Sequence, residues 1–168
     1  MITMIAAQGQ NRELGYKGRI PWKSPEDQER FKLLTKGHTM IMGRSTFESL
    51  PGVLPGRIHV ILTRNPSFKK EHPRVIIRHD LSACLAEAAA SLEEIFVIGG
   101  GEIYRAALPY AKKIYLTEVE GTYPADAYFP ALEPKEWACT EESCHPAQGE
   151  TPAYRYCLYE KRSHPCDL

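Results

Sequence analysis

The segment Ser24-Pro25-Glu26-Asp27-Gln28-Glu29-Arg30-Phe31 holds the first residue that could do chemistry. Ser24 can cap a helix and Pro25 suits its first position. Asp27, Phe31 and Leu34 then share one face by the i, i+4, i+7 rule, so the acid lies on the apolar stripe while Glu26 and Glu29 point elsewhere. Beside Trp22 and Phe31 a lone carboxylate is partly desolvated. That raises its pKa and suits it to proton chemistry or to gripping a cationic heterocycle. Helix capping accounts for the same residues without a ligand, and spacing alone leaves both readings open.

A second set of candidates carries positive charge or exposed backbone. Arg57, after the turn Leu54-Pro55-Gly56, could clamp a carboxylate through two parallel hydrogen bonds. Arg44 follows Gly43, Arg64 follows Thr63, Arg78 precedes His79, and Gly99-Gly100-Gly101 opens a helical pattern. Glycines at such a position let backbone N–H groups approach an anion, and guanidinium groups nearby add phosphate contacts. Together they suit a dinucleotide with an additional phosphate. Each piece also has a plainer account. Ser45-x-x-Glu48 reads as a capping box, Arg64 and Arg78 could be solvated, and Tyr104 stands where a Rossmann fingerprint needs glycine.

These residues fall at the ends of recognisable elements. Short apolar runs at 2–7, 39–42, 58–63, 75–77, 95–98 and 114–118 read as buried strands. Helical patterns at 25–35, 45–50, 81–92 and 102–108 alternate with them. Alternation of this kind predicts an α/β single domain with a mostly parallel central sheet flanked by helices. Segments 137–145 and 153–161 alternate instead like an antiparallel C-terminal hairpin. In open α/β sheets ligands bind beyond the carboxyl ends of the strands, which is where the arginines and glycines cluster. The Gly-containing connection 8–23, closing on Pro21-Trp22, reads as a lid or binding loop.

Composition narrows the function classes. The chain has 168 residues, with 21 Lys plus Arg against 21 Asp plus Glu, so it carries no formal net charge. That balance speaks against a general nucleic-acid or anionic-membrane binder. Five cysteines without a C-x-x-C suggest neither a disulfide framework nor a zinc ribbon. Cys139, Cys144 and His145 lie in strand-like segments, where cysteine usually serves as a small hydrophobe, so no metal is expected. The apolar start, residues 1–7, is too short for a signal peptide or a membrane span, and a cytoplasmic location is expected.

Taken in order, the motifs resemble those of bacterial dihydrofolate reductases over residues 1–161. The resemblance is carried by Met4-Ile5-Ala6-Ala7, by Ile20-Pro21-Trp22 with Asp27 and Phe31, and by Met42-Gly43-Arg44-Ser45-Thr46-Phe47-Glu48-Ser49. It continues through Leu54-Pro55-Gly56-Arg57, Val97-Ile98-Gly99-Gly100-Gly101-Glu102-Ile103-Tyr104, Tyr115-Leu116-Thr117 and Phe129-Pro130. It implies NADPH-dependent reduction of 7,8-dihydrofolate to tetrahydrofolate, with hydride transfer to pterin C6 and protonation of N5, in support of one-carbon metabolism. Asp27 is then the acid at the pterin, supported by Thr117, with Trp22, Ile20 and Tyr104 close to the reacting rings. Ile5, Ala6, Gln28, Phe31, Ser49, Leu50, Leu54 and Ile98 would line the substrate pocket, and Arg57 would hold the glutamate α-carboxylate. Ala7, Leu14, Gly15 and Ile20 would surround the nicotinamide and ribose. Gly43 to Thr46, Leu62, Thr63 and Ile98 to Tyr104 would cradle the rest of the cofactor, with Arg44, Arg64, Arg78 and His79 toward the 2′-phosphate. A monomer that is inhibited by antifolates, and binds no nucleic acid or membrane, is the expected form. The domain would span 1–162, followed by a short tail, 163–168.

The chain also departs from the family pattern. Ile20 replaces a common Met, and Gln28 stands where an apolar Leu is usual. An acid followed by Gln is similar to trimethoprim-insensitive members, so weakened trimethoprim binding is expected. The family's Glu-Gly-Asp loop reads Pro124-Ala125-Asp126, so its docking against the lid is in question. The competing readings are a related pyrimidine reductase of riboflavin synthesis and a non-catalytic nucleotide-binding module. Neither needs Asp27 and Arg57 in this arrangement.

Overall fold

The computed structural model describes residues 1–16 and 20–163. The middle of the expected lid, residues 17–19, and nearly all of the expected tail, including Cys166, lie outside the described residues. In chain order the elements are β1 (Ile2–Gln8), β2 (Glu13–Gly15), α1 (Pro25–Thr35), β3 (Thr39–Gly43), α2 (Arg44–Ser49), β4 (Ile58–Leu62) and β5 (Val75–Arg78). They continue with α3 (Leu81–Ala90), β6 (Ile95–Val97), α4 (Gly101–Ala107), a 3-10 turn (Leu108–Tyr110), β7 (Ala111–Val119), β8 (Ala127–Tyr128), β9 (Trp137–His145) and β10 (Tyr154–Lys161).

Eight strands form one sheet in the order β5-β4-β3-β6-β1-β7-β10-β9. The pairs from β5 to β7 are parallel, and β10 runs antiparallel to both β7 and β9. The C-terminal hairpin is therefore stitched into the main sheet through β10. Strand alternation sorts the core between two faces. Met40, Met42, Ile61 and Phe96 join Phe47 and Leu54 in one cluster. Ile41, Val60, Leu62 and Val97 join Leu85, Ala88 and Ile103, from α3 and α4, in the other.

The α1 start forms as the sequence expects. Pro25 occupies the first turn, and the buried Ser24 hydroxyl accepts the Asp27 N–H at 3.4 Å. Elsewhere the structure corrects the sequence reading. Ser45 is not a cap: α2 begins one residue earlier, its N-cap is Gly43, and Glu48 pairs with Arg44 at 2.8 Å instead. Helix α3 ends at Ala90, where Ser91 turns extended, and Leu92 projects fully into solvent. Strand β7 starts at Ala111, because pairing with β1 outruns the apolar stretch that marked it. The small β2–β8 ladder had no sequence signal. Its register, Glu13 with Tyr128 and Gly15 with Ala127, ties residues 13–15 to a segment over a hundred positions away.

Candidate active site

The carboxyl ends of β1, β3, β4 and β6 open on a cleft of about 770 Å³. It is lined by Ala7, Leu14, Gly15, Ile20, Gly43, Arg44, Ser45, Thr46, Leu62, Thr63, Arg64, His79, residues 98–103 and Tyr104. These are the expected cofactor residues with one exception. Arg78 lies outside the lining because both its terminal nitrogens bind Glu87 of α3, at 2.7 and 3.1 Å. Arg78 and Glu87 lie nine positions apart on different elements, and the fold brings them together. Ser49, expected at the substrate, reaches the cleft as well, as do Asp126 of the Pro124-Ala125-Asp126 loop and Asn65, Leu81 and Ala127, which the sequence did not single out.

The glycine run supplies close approach. A Cβ at Gly101 would come within 3.2 Å of the Tyr128 carbonyl oxygen, and Gly99 has φ +126°, a conformation that side chains disfavour. The Gly43 N–H donates to the Gly99 carbonyl at 2.8 Å, which locks the β3 end against the run. The arginines at the cleft are not free cations. Arg64 is ion-paired with Glu102, and Arg44 pairs with Glu48 while resting 4.5 Å over the Phe68 ring. Each of these arginines has its own carboxylate. The lining still fits a dinucleotide with an extra phosphate. It combines bare backbone at residues 99–101 with hydroxyls of Ser45, Thr46 and Thr63, two guanidinium groups and His79.

At the other side of β1, Asp27 is half-buried, and the Thr117 hydroxyl donates to its Oδ1 at 2.6 Å. Burial raises the pKa of Asp27 above the ordinary carboxylate value. The Thr117 hydrogen bond and the Arg30 charge oppose that rise. The guanidinium of Arg30 itself lies over Tyr156, 3.8 Å from the ring centroid, and 5.7 Å from that of Tyr115. Glu26 turns away, as expected, to accept the Tyr154 hydroxyl. The acid is thus held on α1 by the sheet, through Thr117 of β7.

Tyr104 is buried, and its hydroxyl donates to the Ile5 carbonyl at 2.7 Å. Burial pushes its pKa far up, so it remains a neutral donor. Ile5, Phe31, Leu50, Leu54 and Ile98 converge on one apolar cluster. Ala6 does not join them, since alternation along β1 turns its side chain to the opposite cluster. Gln28 is exposed on α1, and Trp22 is buried beside Val119 and Tyr154, its ring 5.1 Å from that of Tyr123. Arg57 is no surface arginine. It is buried, and donates through Nε to the Pro55 carbonyl at 2.9 Å and through Nη1 to the Thr35 hydroxyl at 3.3 Å. Two of its five donors are so used, and the guanidinium is held in one orientation.

The suspected metal ligands do not assemble. His145 stacks on Tyr154 with ring centroids 4.8 Å apart, and Ser143 Oγ lies 3.0 Å from its Nε2. Cys139, Glu142 and Cys157 approach within 4.8 Å of one another instead. Glu142 is already taken by Arg155 at 2.9 Å, and burial pushes the Cys157 thiol up to about 12.

Comparison with known proteins agrees with this geometry. A family model described as dihydrofolate reductase matches residues 1–161. Dihydrofolate reductase type 3 of Salmonella typhimurium is 37% identical over 168 residues, covering 100% of this chain and 95% of the relative. Dihydrofolate reductase type A13 of Escherichia coli is 36% identical, covering 96% and 95%. A solved structure, dihydrofolate reductase from Enterococcus faecalis complexed with NADP(H) and RAB-propyl, superposes with a TM-score of 0.86 at 27% identity, covering 97% of each chain.

Proposed function

The chain belongs to the dihydrofolate reductase family and is an NADPH-dependent reductase of 7,8-dihydrofolate, and we propose that Asp27, braced by Thr117, is the acid of that reaction. The observation that carries this reading is the 2.6 Å hydrogen bond from the Thr117 hydroxyl of β7 to the half-buried Asp27 carboxylate. NADPH, when bound, supplies the hydride that reaches pterin C6. Asp27 accepts hydrogen bonds from the pterin amino group and ring nitrogen and favours protonation of N5 through water. Thr117 orients the carboxylate. Tyr104, neutral and anchored on Ile5, stands beside the nicotinamide. Leu54, Leu50 and Phe31 pack the aminobenzoate ring, and the preset guanidinium of Arg57 binds the glutamate α-carboxylate.

On the cofactor side, residues 99–101 and the hydroxyls of Ser45, Thr46 and Thr63 hold the diphosphate, while Arg44, Arg64 and His79 meet the 2′-phosphate. Leu14, Gly15 and Ile20 close over the nicotinamide and exclude water. Pyrimidine-reductase and non-catalytic readings leave the buried Arg57 and the Thr117–Asp27 pair without a role.

A monomer in the cytoplasm is the form proposed. Edge strand β9 carries Glu141 and Glu142, which disfavours strand-to-strand association, and free thiols at the exposed Cys139 and Cys144 suit a reducing compartment. No helix among the described residues is long and apolar enough to cross a membrane. The test follows NADPH oxidation with dihydrofolate as substrate. Asp27→Asn is expected to lose most activity at neutral pH and to regain part of it in acid, where the substrate arrives protonated. A variant as active as the parent at neutral pH removes Asp27 from the mechanism.

A further inference from the structure

His59 is the second residue of β4 and is fully buried among apolar neighbours. Its ring touches both ends of the turn Leu54-Pro55-Gly56-Arg57. The Leu54 N–H donates to Nε2 at 3.0 Å, and Nδ1 lies 3.2 Å from the Arg57 carbonyl oxygen. A backbone N–H can only donate and a carbonyl can only accept, so the pattern admits one state of the ring. Nε2 is bare, Nδ1 carries the proton, and the imidazole is neutral. Its own backbone N–H donates to the Arg74 carbonyl at 2.7 Å, and the Phe47 ring meets it edge-on at 6.1 Å.

The turn so gripped contains both halves of the substrate-tail pocket. Leu54 belongs to the apolar cluster against the aminobenzoate, and Arg57 is the carboxylate clamp. Other ties on the turn are Arg57 Nε to the Pro55 carbonyl within it, and Arg57 Nη1 to Thr35 and the Gly37 N–H to the Gly56 carbonyl at 3.0 Å from outside it. The imidazole links the residue that opens the turn to the residue that closes it through side-chain hydrogen bonds at both ends.

We propose that His59 is a positioning residue for the substrate tail, holding Leu54 and Arg57 at a fixed separation through its two ring nitrogens. This rests on Arg57 as the carboxylate clamp. Protonation of Nε2 would destroy the acceptor of the Leu54 N–H and place two donors face to face in the core. The charged and titratable groups around the ring are Arg57 and His72, with Arg74 reaching it through the backbone. Burial holds its pKa below the ordinary histidine value, against the backbone carbonyls of Arg57 and Arg74 that raise it and with the Arg57 charge that lowers it, which keeps the lock closed at neutral pH.

Steady-state kinetics at saturating NADPH separate this role from a general structural one, using dihydrofolate and a dihydropterin that lacks the aminobenzoylglutamate tail. His59→Leu is expected to raise KM for dihydrofolate about tenfold, the usual effect of stranding one buried donor. Its kcat stays within about twofold, and kcat/KM for the tailless pterin is unchanged. His59→Gln, whose amide oxygen reaches the Leu54 N–H, restores most of the dihydrofolate KM. An unchanged dihydrofolate KM in His59→Leu, or equal losses on both substrates, overturns the proposal. Should His59→Leu not fold, acid titration carries the test. The ratio of kcat/KM for dihydrofolate to that for the tailless pterin cancels Asp27, which both substrates meet. That ratio falls in acid for the parent and stays level for His59→Gln, and an equal fall in both overturns the proposal. Arg57→Gln tests the clamp by itself: an unchanged dihydrofolate KM there sinks the clamp reading. A raised KM in Arg57→Gln beside a normal one in His59→Leu leaves the clamp standing and removes His59.

Discussion

Replacing Glu13 by Gln should loosen the wall that covers the cofactor cleft. Glu13 is 2% exposed, yet its carboxylate faces protein amides rather than a cation: the Asn11 N–H donates to Oε1 and the Tyr123 N–H to Oε2 at 2.7 Å. Through these bonds one side chain joins residues 9–13 to the loop beyond β7. Neighbouring bonds complete the junction, with Gln10 N–H to the Gly121 carbonyl at 3.0 Å and Asp126 N–H to the Gly15 carbonyl at 2.9 Å. Docking of this loop therefore survives the Pro124-Ala125-Asp126 departure, because it runs through main chain and Glu13 rather than through the missing glycine. A glutamine keeps one acceptor and turns an NH₂ toward the other amide. A hydrogen bond to a charged group is worth about 1.5–3 kcal/mol, so the variant should lose about 2 kcal/mol. For a chain of this size that lowers Tm by about 4–8 °C. Calorimetry reads the loss, and hydrogen exchange at the Asn11 and Tyr123 amides locates it. Because Leu14, Gly15, Asp126 and Ala127 line the cleft, KM for NADPH should rise more than KM for dihydrofolate. An unshifted Tm with both amides still protected would refute the assignment of Glu13 as the anchor.

Asp27→Asn should be more stable than the parent at neutral pH even as it loses activity. The folded-state pKa is raised, so the folded protein holds this proton more tightly than the unfolded chain. The contribution of Asp27 is most favourable below its ordinary value of 3.8 and is lost as pH rises from there through the raised folded value. The Tm advantage of the variant should thus vanish in strong acid, and a variant less stable at neutral pH would contradict the burial argument. Glu102→Gln should tighten NADPH binding up to about fivefold, since an exposed ion pair competes for Arg64 with up to about 1 kcal/mol. Fluorescence titration reads it, and equal or weaker binding counts against Arg64 at the 2′-phosphate. Trimethoprim should inhibit poorly and gain affinity in Gln28→Leu, whereas a nanomolar inhibition constant for the parent protein sinks that reading.

The parts of the site legible in the sequence are those where chemistry and local structure coincide. Asp27 stands out because helical spacing alone puts it on the apolar side of α1, and the strand-end glycines and arginines because apolar runs mark where the strands stop. Residues whose role depends on distant partners gave no such sign. Arg78 reads like Arg64 until α3 brings Glu87 to it, and Ala6 reads like Ile5 until the register of β1 assigns each to a face. Glu13 sits in an ordinary polar turn and acquires its partners only across 110 residues of chain. His59 had a signal in hindsight, since an imidazole inside the run Ile58–Leu62 must find partners or stay costly in the core.

Charge neutrality takes on a sharper meaning once the ion pairs are known. Arg44, Arg64 and Arg78 each carry a carboxylate partner, Glu48, Glu102 and Glu87. Among the described residues Arg57 is held instead by neutral acceptors, the Pro55 carbonyl and the Thr35 hydroxyl. Its orientation is therefore fixed without cancelling its charge. A carboxylate arriving at Arg57 completes an ion pair, while a phosphate arriving at Arg44 or Arg64 must exchange for an acid already there. Exchange of exposed pairs costs little, and a 2′-phosphate near full ionisation outcompetes a single carboxylate. The two ligands thus meet different electrostatics in one neutral protein. On the proposed roles of these arginines, substrate recognition depends on a preset buried cation and cofactor recognition on rearranging surface pairs, so NADPH affinity is expected to be the more salt-sensitive of the two.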